Sequence, residues 1–569
     1  MPGCKLAIIV SVSAVFLYGC GDDTPTQTPT QSPPPVASVT VMPDSTDLHR
    51  GDTLRFVAIL RDEAGKVLTG RKIAWRSSSP DVMSVDDDGL ATAEAVGSAT
   101  LKAHSEGATG TASVTVLMQL PASLALSPDR FSVVPGETMH FNVAVLGEGG
   151  DTLPDTLVSW SSEDTTVATV DAAGLITAVG LGFSTIMASF DDFADSSGVT
   201  VTTATRFSLV TAGAYHSCAI AASGVAFCWG ANWGGSLGDG TTNSSETPVA
   251  VAGDLTWISV TAGTSHSCGV TSAGVAYCWG NNLWGQLGTG QTTELCNSQP
   301  CSRTPMPVEG GHTFRMVSSG QRHACAVTTD SEAYCWGRND MYQLGNTTSQ
   351  ECRGNPCSTK PIHVLGKLDL ELVSLGAKNK SQGLTTGARA CWWGYDQTAR
   401  VVETTPTLVP GNLTLISFDG GYSHDCGVTS EYLAYCWGRG GSGSLGNGSL
   451  EESEVPTPVV GGLAFSVISA GFEHTCGVTT DGSAYCWGLA SHGQLGSDWP
   501  PEPVCNATWG DLPCNSTPVP VMGGLKFESI SAGEAITCGI TKLGVLYCWG
   551  SSKWLNLGYG VTPVLITIP

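Results

Sequence analysis

The sequence predicts an all-β protein: two β-sandwiches followed by a seven-bladed propeller. Three observations predict it. A hairpin-like unit recurs about seven times between residues 216 and 550. Two related segments of short alternating strands precede it. The composition, with Gly 71, Pro 30, 13% charged residues and almost no helical periodicity, is that of strands and turns.

At the N-terminus, Lys5 precedes an apolar run, LAIIVSVSAVFLY (6–18), that is short for a bilayer span. It ends in Leu17-Tyr18-Gly19-Cys20. Residues 1–19 resemble a bacterial lipoprotein signal, in which Cys20 is lipidated and becomes the first mature residue. An ordinary secretory signal is the alternative reading. The resemblance implies export and a lipid anchor in the cell envelope, at an outer membrane or cell surface, without a spanning segment. Gly21 follows instead of Asp, so the inner-membrane retention signal is absent. Residues 20–35, rich in Thr, Pro and Gln, read as an extended tether.

The sandwiches come next, at 36–118 and 121–204. Trp75 and Trp160 sit in matching motifs at an offset of 85 and read as core plugs. Asp86-Asp87-Asp88 could form a calcium site, but the second copy has Asp171-Ala172-Ala173 there, which favours a solvated turn. WSSEDTTVATVDAAGLITA (160–178) resembles the group 2 bacterial immunoglobulin-like domains. The resemblance implies two immunoglobulin-like β-sandwiches acting as a spacer or adhesive stalk.

The repeats fill 206–569. HSCGVTSAGVAYCWG (266–280) has close copies at 216–230, 323–337, 424–438 and 474–488. The copy at 536–550 lacks the histidine, and SQGLTTGARACWWG (381–394) is degenerate. Each copy reads as a hairpin; in 266–280 the arms are separated by Ser272-Ala273-Gly274, where Gly supplies the positive φ. Cys268 and Cys278 lie five residues either side of Ala273, directly opposite each other. The same spacing predicts disulfides between Cys218 and Cys228, Cys325 and Cys335, and Cys426 and Cys436. It also predicts them between Cys476 and Cys486 and between Cys538 and Cys548. Each such loop would stabilise by roughly 2–3 kcal/mol on a chain-entropy account. Zinc is the rival reading and suits the spacing poorly.

A segment such as WISVTAG (257–263) precedes each hairpin, and a T-P-x-x-V segment such as TPVAV (247–251) follows a variable loop. Four short strands per unit of about fifty residues make a propeller blade. The S-A-G-x-x-H-x-C-G-V lead, the Y-C-W-G and the N-x-x-G-Q-L-G turns (282–288, and G-Q-L-G at 493–496) resemble the repeats of the regulator of chromosome condensation family. The first unit has no T-P-x-x-V segment before it, and the chain ends in TPVLITIP (562–569). The C-terminal strand is therefore expected to complete the first blade and close the ring.

The variable loops carry three more pairs: Cys296 with Cys301, Cys352 with Cys357, and Cys505 with Cys514. They are read as disulfides because 21 cysteines in pairable spacings fit an oxidising compartment. Cys391 is left over, with Gln382 at its expected partner position; it is either buried and inert or a free thiol.

No catalytic set, phosphate loop, cofactor motif or metal cluster stands out. The histidines at 216, 266, 323, 424 and 474 share one repeat position, which favours a structural role. Aromatic residues break the repeat: Trp233, Trp284, Tyr342 and Trp554 in the turns, and Trp499 and Trp509 in the longest loop. They are candidate binding residues, or they pack between blades. A net charge of −24 argues against nucleic acid or anionic lipid as partner. The reading is a non-catalytic, monomeric cell-envelope protein, its propeller presented on a stalk to a protein partner. A carbohydrate-binding adhesin is the alternative. The resemblance alone also suggests guanine-nucleotide exchange, as in nuclear members, or β-lactamase inhibition, as in a bacterial type. A propeller lyase or hydrolase would need clustered carboxylates at one end of the ring.

Overall fold

The computed structural model describes residues 33–117, 120–147, 152–153, 157–291, 294–366, 368–376, 379–498, 502–507, 510–552 and 557–568. Cys20, Trp499, Trp509 and Trp554 lie outside the described residues. Every regular element among the described residues is a β-strand. The chain divides into two compact units, 1–120 and 121–569.

The first unit is a sandwich. Alternation in Ser98–Ser105 and Ala108–Leu117 sends every second side chain inward, which builds a core around Phe56, Met83 and Leu101. Trp75 packs against this core beside Gly89, where an added Cβ would meet its indole at 2.9 Å. Asp86 caps its own turn: its carboxylate accepts from the amides of Asp88 and Leu90 at 2.9 and 2.8 Å. Asp171 in the second sandwich does the same for Ala173 and Leu175.

The second unit joins the other sandwich to the propeller. Seven antiparallel sheets follow one another from Phe207 to Leu565 among the described residues. Blade 1 is representative, with strands Phe207–Ala212, His216–Ala221, Ala226–Gly230 and Ser245–Ala250 in that order. Blades 2, 3 and 6 each add a fifth short strand from the cysteine-bearing loop. The second and third strands are the buried pair. In blade 2, Cys268 stands opposite Cys278 and is bonded to it. The other hairpin disulfides have the same register: Cys218–Cys228 in blade 1 and Cys325–Cys335 in blade 3. Cys426–Cys436, Cys476–Cys486 and Cys538–Cys548 follow in blades 5, 6 and 7. Cys228, Cys335, Cys436, Cys486 and Cys548, on the third strands, are as fully buried as their partners. Cys296–Cys301, Cys352–Cys357 and Cys505–Cys514 are bonded in the loops.

Two expectations are corrected. Gln382 pairs with Trp392, not with Cys391, which faces Gly383. The degenerate hairpin keeps the strand register, so Cys391 falls at the position of the Tyr in Y-C-W-G, fully buried, with burial pushing its thiol up to about 12. The C-terminal strand does not complete blade 1. Leu557–Leu565 pairs with Leu546–Ser552 of its own blade, and blade 1 takes its fourth strand from Ser245–Ala250. The T-P-x-x-V segment that follows each hairpin belongs to that hairpin, so every blade is continuous in sequence.

Side chains and backbone close the ring instead. One strand-1 residue per blade accepts a hydrogen bond from a backbone amide of the next blade. Thr211 accepts from Ala262, Thr261 from Ser319, Ser318 from Leu375 and Ser374 from Gly420. Asp419 accepts from Ala470, Ser469 from Ala532, and Ser531 from Ala212, back in blade 1, at 2.9 Å. Arg206 adds an isolated bridge to Val545. Phe207 and Trp229 of blade 1 share a core with Ile540 and Leu546 of blade 7.

The second sandwich is packed against blades 6 and 7. Its Leu126, Phe131 and Met139 share one core with Val521, Phe527 and Tyr547. Phe131 stacks on Tyr547 with centroids 6.2 Å apart. Glu137, 6% exposed, accepts from the hydroxyls of Tyr547 at 2.5 Å and Thr541 at 2.9 Å. The His140 amide donates to Gly523 O. Val521 and Gly523 lie in a blade-to-blade connection, and Phe527, Thr541 and Tyr547 lie at the strand ends next to that connection or the hairpin turn, so the sandwich sits on that side of the ring.

Candidate interaction face

Chain direction sorts the loops. The connections from strand 1 to strand 2 and from strand 3 to strand 4 emerge on one face; the hairpin turns emerge on the other, where the second sandwich sits. The free face surrounds a central channel of about 150 Å³ lined by small residues such as Ala212, Gly263 and Gly533.

The repeated histidines stand just below this face. His216 Nε2 meets Ser267 Oγ of the next blade at 2.7 Å; His323 meets Ser381, His424 meets Thr475, and His474 meets Thr537. The next blade has Ala324 at the hydroxyl position opposite His266, and neither ring nitrogen of His266 makes a hydrogen bond. Each hydroxyl donates in turn to a carbonyl of its preceding blade, as Ser267 does to Ser236 O at 2.9 Å. The indoles of Trp279, Trp393, Trp487 and Trp549 donate to the same four carbonyls, and Trp336 donates to Gln286 O at the equivalent position. Burial holds the five histidines down at about 3 to 4, so they stay neutral, and all but His266 serve as inter-blade ties.

Sequence reasoning missed one variation on this tie. The degenerate unit has Lys380 at the histidine position, and the next blade answers with Asp425 at the hydroxyl position, 2.7 Å away. Asp396 holds Lys380 from the other side at 2.8 Å, and the Gln382 amide donates to Asp425 at 2.9 Å. Burial pulls Lys380 down, but Asp425 and Asp396 outweigh it and hold it above its ordinary value. The signal was present: among the seven units, the acid in H-D-C directly follows the unit with a Lys in place of the His.

Above this layer the face is uneven. Trp233, 49% exposed, leans on Tyr215 with centroids 5.3 Å apart. Trp284 is half-buried under two guanidinium groups, Arg338 at 4.8 Å and Arg322 at 5.4 Å. Tyr342 is 40% exposed and holds a φ of 58° in its turn. Tyr422 and Phe472 stack at 3.8 Å. Burial pushes the Glu534 carboxyl up to about 7, with Glu473 adding to the effect. Of the aromatic candidates, then, Trp233, Trp284 and Tyr342 lie on this face. Tyr215, Tyr422 and Phe472 were not singled out beforehand, although the two positions before each histidine are where the repeat varies most. This surface can bind; among the described residues it assembles no nucleophile–base pair.

Residues 207–232, 257–286, 316–343 and 465–494 match a family described as the regulator of chromosome condensation (RCC1) repeat. A second description of that repeat matches 223–270, 273–327, 433–478 and 481–540. Residues 35–116 and 122–201 match the bacterial Ig-like domain (group 2). The chain carries RCC1 repeats behind two group 2 Ig-like domains. Its RCC1 propeller is similar to the solved structure of yeast RCC1 (Prp20) bound to Kap60, with 19% identity, a TM-score of 0.52, and 64% of this chain and 85% of that one covered. Human WBSCR16 is similar at 18% identity and a TM-score of 0.51, over 61% and 89%. Among curated proteins, Ice-binding protein 1 of Shewanella frigidimarina is 30% identical over 176 residues, 31% of this chain and 20% of that protein. The ultraviolet-B receptor UVR8 of Arabidopsis thaliana is 27% identical over 158 residues, 26% of this chain and 35% of that protein. The chain thus spans about a fifth to a third of these two relatives.

Proposed function

We propose that this RCC1-repeat protein is a non-catalytic binding protein that engages a protein partner through the free face of its propeller. The observation that carries the proposal is the set of solvent-facing aromatic and arginine side chains around the channel mouth: Tyr215, Trp233, Trp284, Arg322, Tyr422 and Phe472. Large amphipathic side chains held on a rigid ring lose little entropy on binding, which is how hot spots arise. The second Ig-like domain leaves this face free by occupying the other. Crystals of yeast RCC1 hold it in complex with Kap60, a precedent for a protein partner on this fold.

We further propose that the chain is exported and anchored through Cys20, so that the partner is met in the cell envelope. Nine disulfides among the described residues support an oxidising compartment. Radiolabelled palmitate incorporation lost in Cys20→Ala tests the anchor. Affinity capture from envelope fractions with the full chain, against a variant carrying both Trp233→Ala and Phe472→Ala, tests the face. A partner caught by the parent and lost by the double variant is the expected result. Equal capture by both would move the binding surface elsewhere. The carbohydrate-binding alternative leaned on Trp499 and Trp509; binding to a glycan array would favour it.

A further inference from the structure

On this face, one spot has more positive charge than it has partners. Arg322, before the histidine of blade 3, and Arg338, at the end of that blade's third strand, both lie over the indole of Trp284 from blade 2. Two guanidinium groups on one ring repel each other, while cation–π attraction holds each against the indole. Asp340 is the carboxylate whose charge favours the Arg322 cation. It is already engaged: Arg338 Nη2 donates to it in a closed ion pair. Arg338 Nε and Nη1 are enclosed and make no hydrogen bond. Arg322 is partly exposed at the channel mouth, and like-charge repulsion from Arg338 adds to burial in lowering its pKa. The arrangement is two cations, one anion and an aromatic floor, open on one side.

We propose that Arg322, held over Trp284 and crowded by the enclosed Arg338, forms a carboxylate-binding site that takes an acidic side chain of the protein partner. A guanidinium presents paired N–H donors that match a carboxylate in two parallel bonds, and the indole beneath excludes water from one side. Because the rest of the chain is strongly acidic, with a net charge of −24, an acidic partner is steered to this spot by a local field and meets repulsion elsewhere. The inference rests on the free-face reading above and names the chemistry of its partner.

The test is calorimetric titration of the full chain with an acetylated tetraglutamate peptide at low salt. Tetraglutamine and inorganic phosphate serve as comparison ligands. Tetraglutamate is expected to bind, and tetraglutamine is not. Arg322→Gln should weaken binding at least tenfold without moving the melting temperature, and Arg322→Lys should recover part of it, since charge returns without the paired donors. Equal affinity for the two peptides, or for parent and Arg322→Gln, overturns the site. Phosphate binding more tightly than tetraglutamate would also overturn it, giving the spot to a different anion. So would a mass that rises with concentration and is abolished in Arg322→Gln, which would give the spot to a second copy. If tetraglutamate fails while partner capture still depends on Trp233 and Phe472, the carboxylate inference alone falls; if capture ignores those residues, the face itself is wrong.

Discussion

Mild acid should destabilise the propeller steeply, because five buried histidines tie or line its blades as neutral rings. Their folded values are held at about 3 to 4, against 6.5 for a free imidazole. The unfolded chain therefore binds more protons than the folded one between those limits, and stability falls as pH falls through 6.5. From pH 7 to pH 5 each histidine costs about 1.9 kcal/mol, and the five together about 9 kcal/mol. Glu534 works in the opposite direction. Its carboxyl is raised to about 7, so the folded form gains a proton first and is stabilised on acidification. That gain is about 2 kcal/mol at most, since its partial exposure reduces it. The net loss, about 7 kcal/mol, is comparable to the whole stability of many domains. Scanning calorimetry of the full chain at pH 7, 6 and 5 should show the propeller transition falling by roughly 10 °C or more. His474→Gln removes one titrating ring and should cut the pH slope by about a fifth. A transition that stays level between pH 7 and 5, or that rises, would refute the idea that these rings are buried and neutral.

Three further outcomes are expected. Asp425→Ser should cost about 3–5 kcal/mol, because Lys380 loses its closest partner while buried; adding Lys380→His should restore most of this by recreating the tie of the other blades. A double-mutant cycle by chemical denaturation reads the coupling, and additive effects would count against it. Tyr547→Phe should cost about 1–3 kcal/mol by removing a donor from buried Glu137, and should raise the rate at which protease separates the second sandwich from the ring. Unchanged cleavage would mean that the sandwich is held elsewhere. Cys391 should resist a maleimide in the native full chain and react once the chain is unfolded in denaturant, read by mass spectrometry of its tryptic peptide.

Much of the fold was legible because the repeat reports itself. Cysteines five residues either side of a tight hairpin turn face each other, and the alternation in the sandwich strands fixes which side is inside. The binding face was legible in part. Trp233 and Trp284 stood out as departures from the repeat, but a lone tryptophan does not reveal that two arginines from the next blade lie across it. That arrangement needs blade 2 and blade 3 to be adjacent, which is a property of the ring and not of the local sequence. Arg322 and Arg338 each look like an ordinary surface cation in sequence.

Ring closure was misjudged for a related reason. The chain's last T-P-x-x-V segment and the first unit's apparent lack of one invited a strand exchange between the two ends, because an open sheet edge is costly. The structure removes the need for that exchange. Each blade supplies its own fourth strand, so the first and last blades are equivalent to the rest, and the seam between them is one more copy of the contact that joins every other pair. Ser531 accepting from Ala212 is the same bond as Ser318 accepting from Leu375, 2.9 Å in one case and 3.0 Å in the other. A belt of seven similar bonds around the channel distributes closure over the whole ring. It also explains why blade 4 tolerates the loss of both its histidine and its disulfide: its belt residue, Ser374, still accepts from Gly420 at 3.0 Å and donates to Asp419 at 2.6 Å. The motif most visible in the sequence is therefore a staple within each blade. The contact that makes seven blades into one ring is carried by an inconspicuous Ser, Thr or Asp in the strand before it.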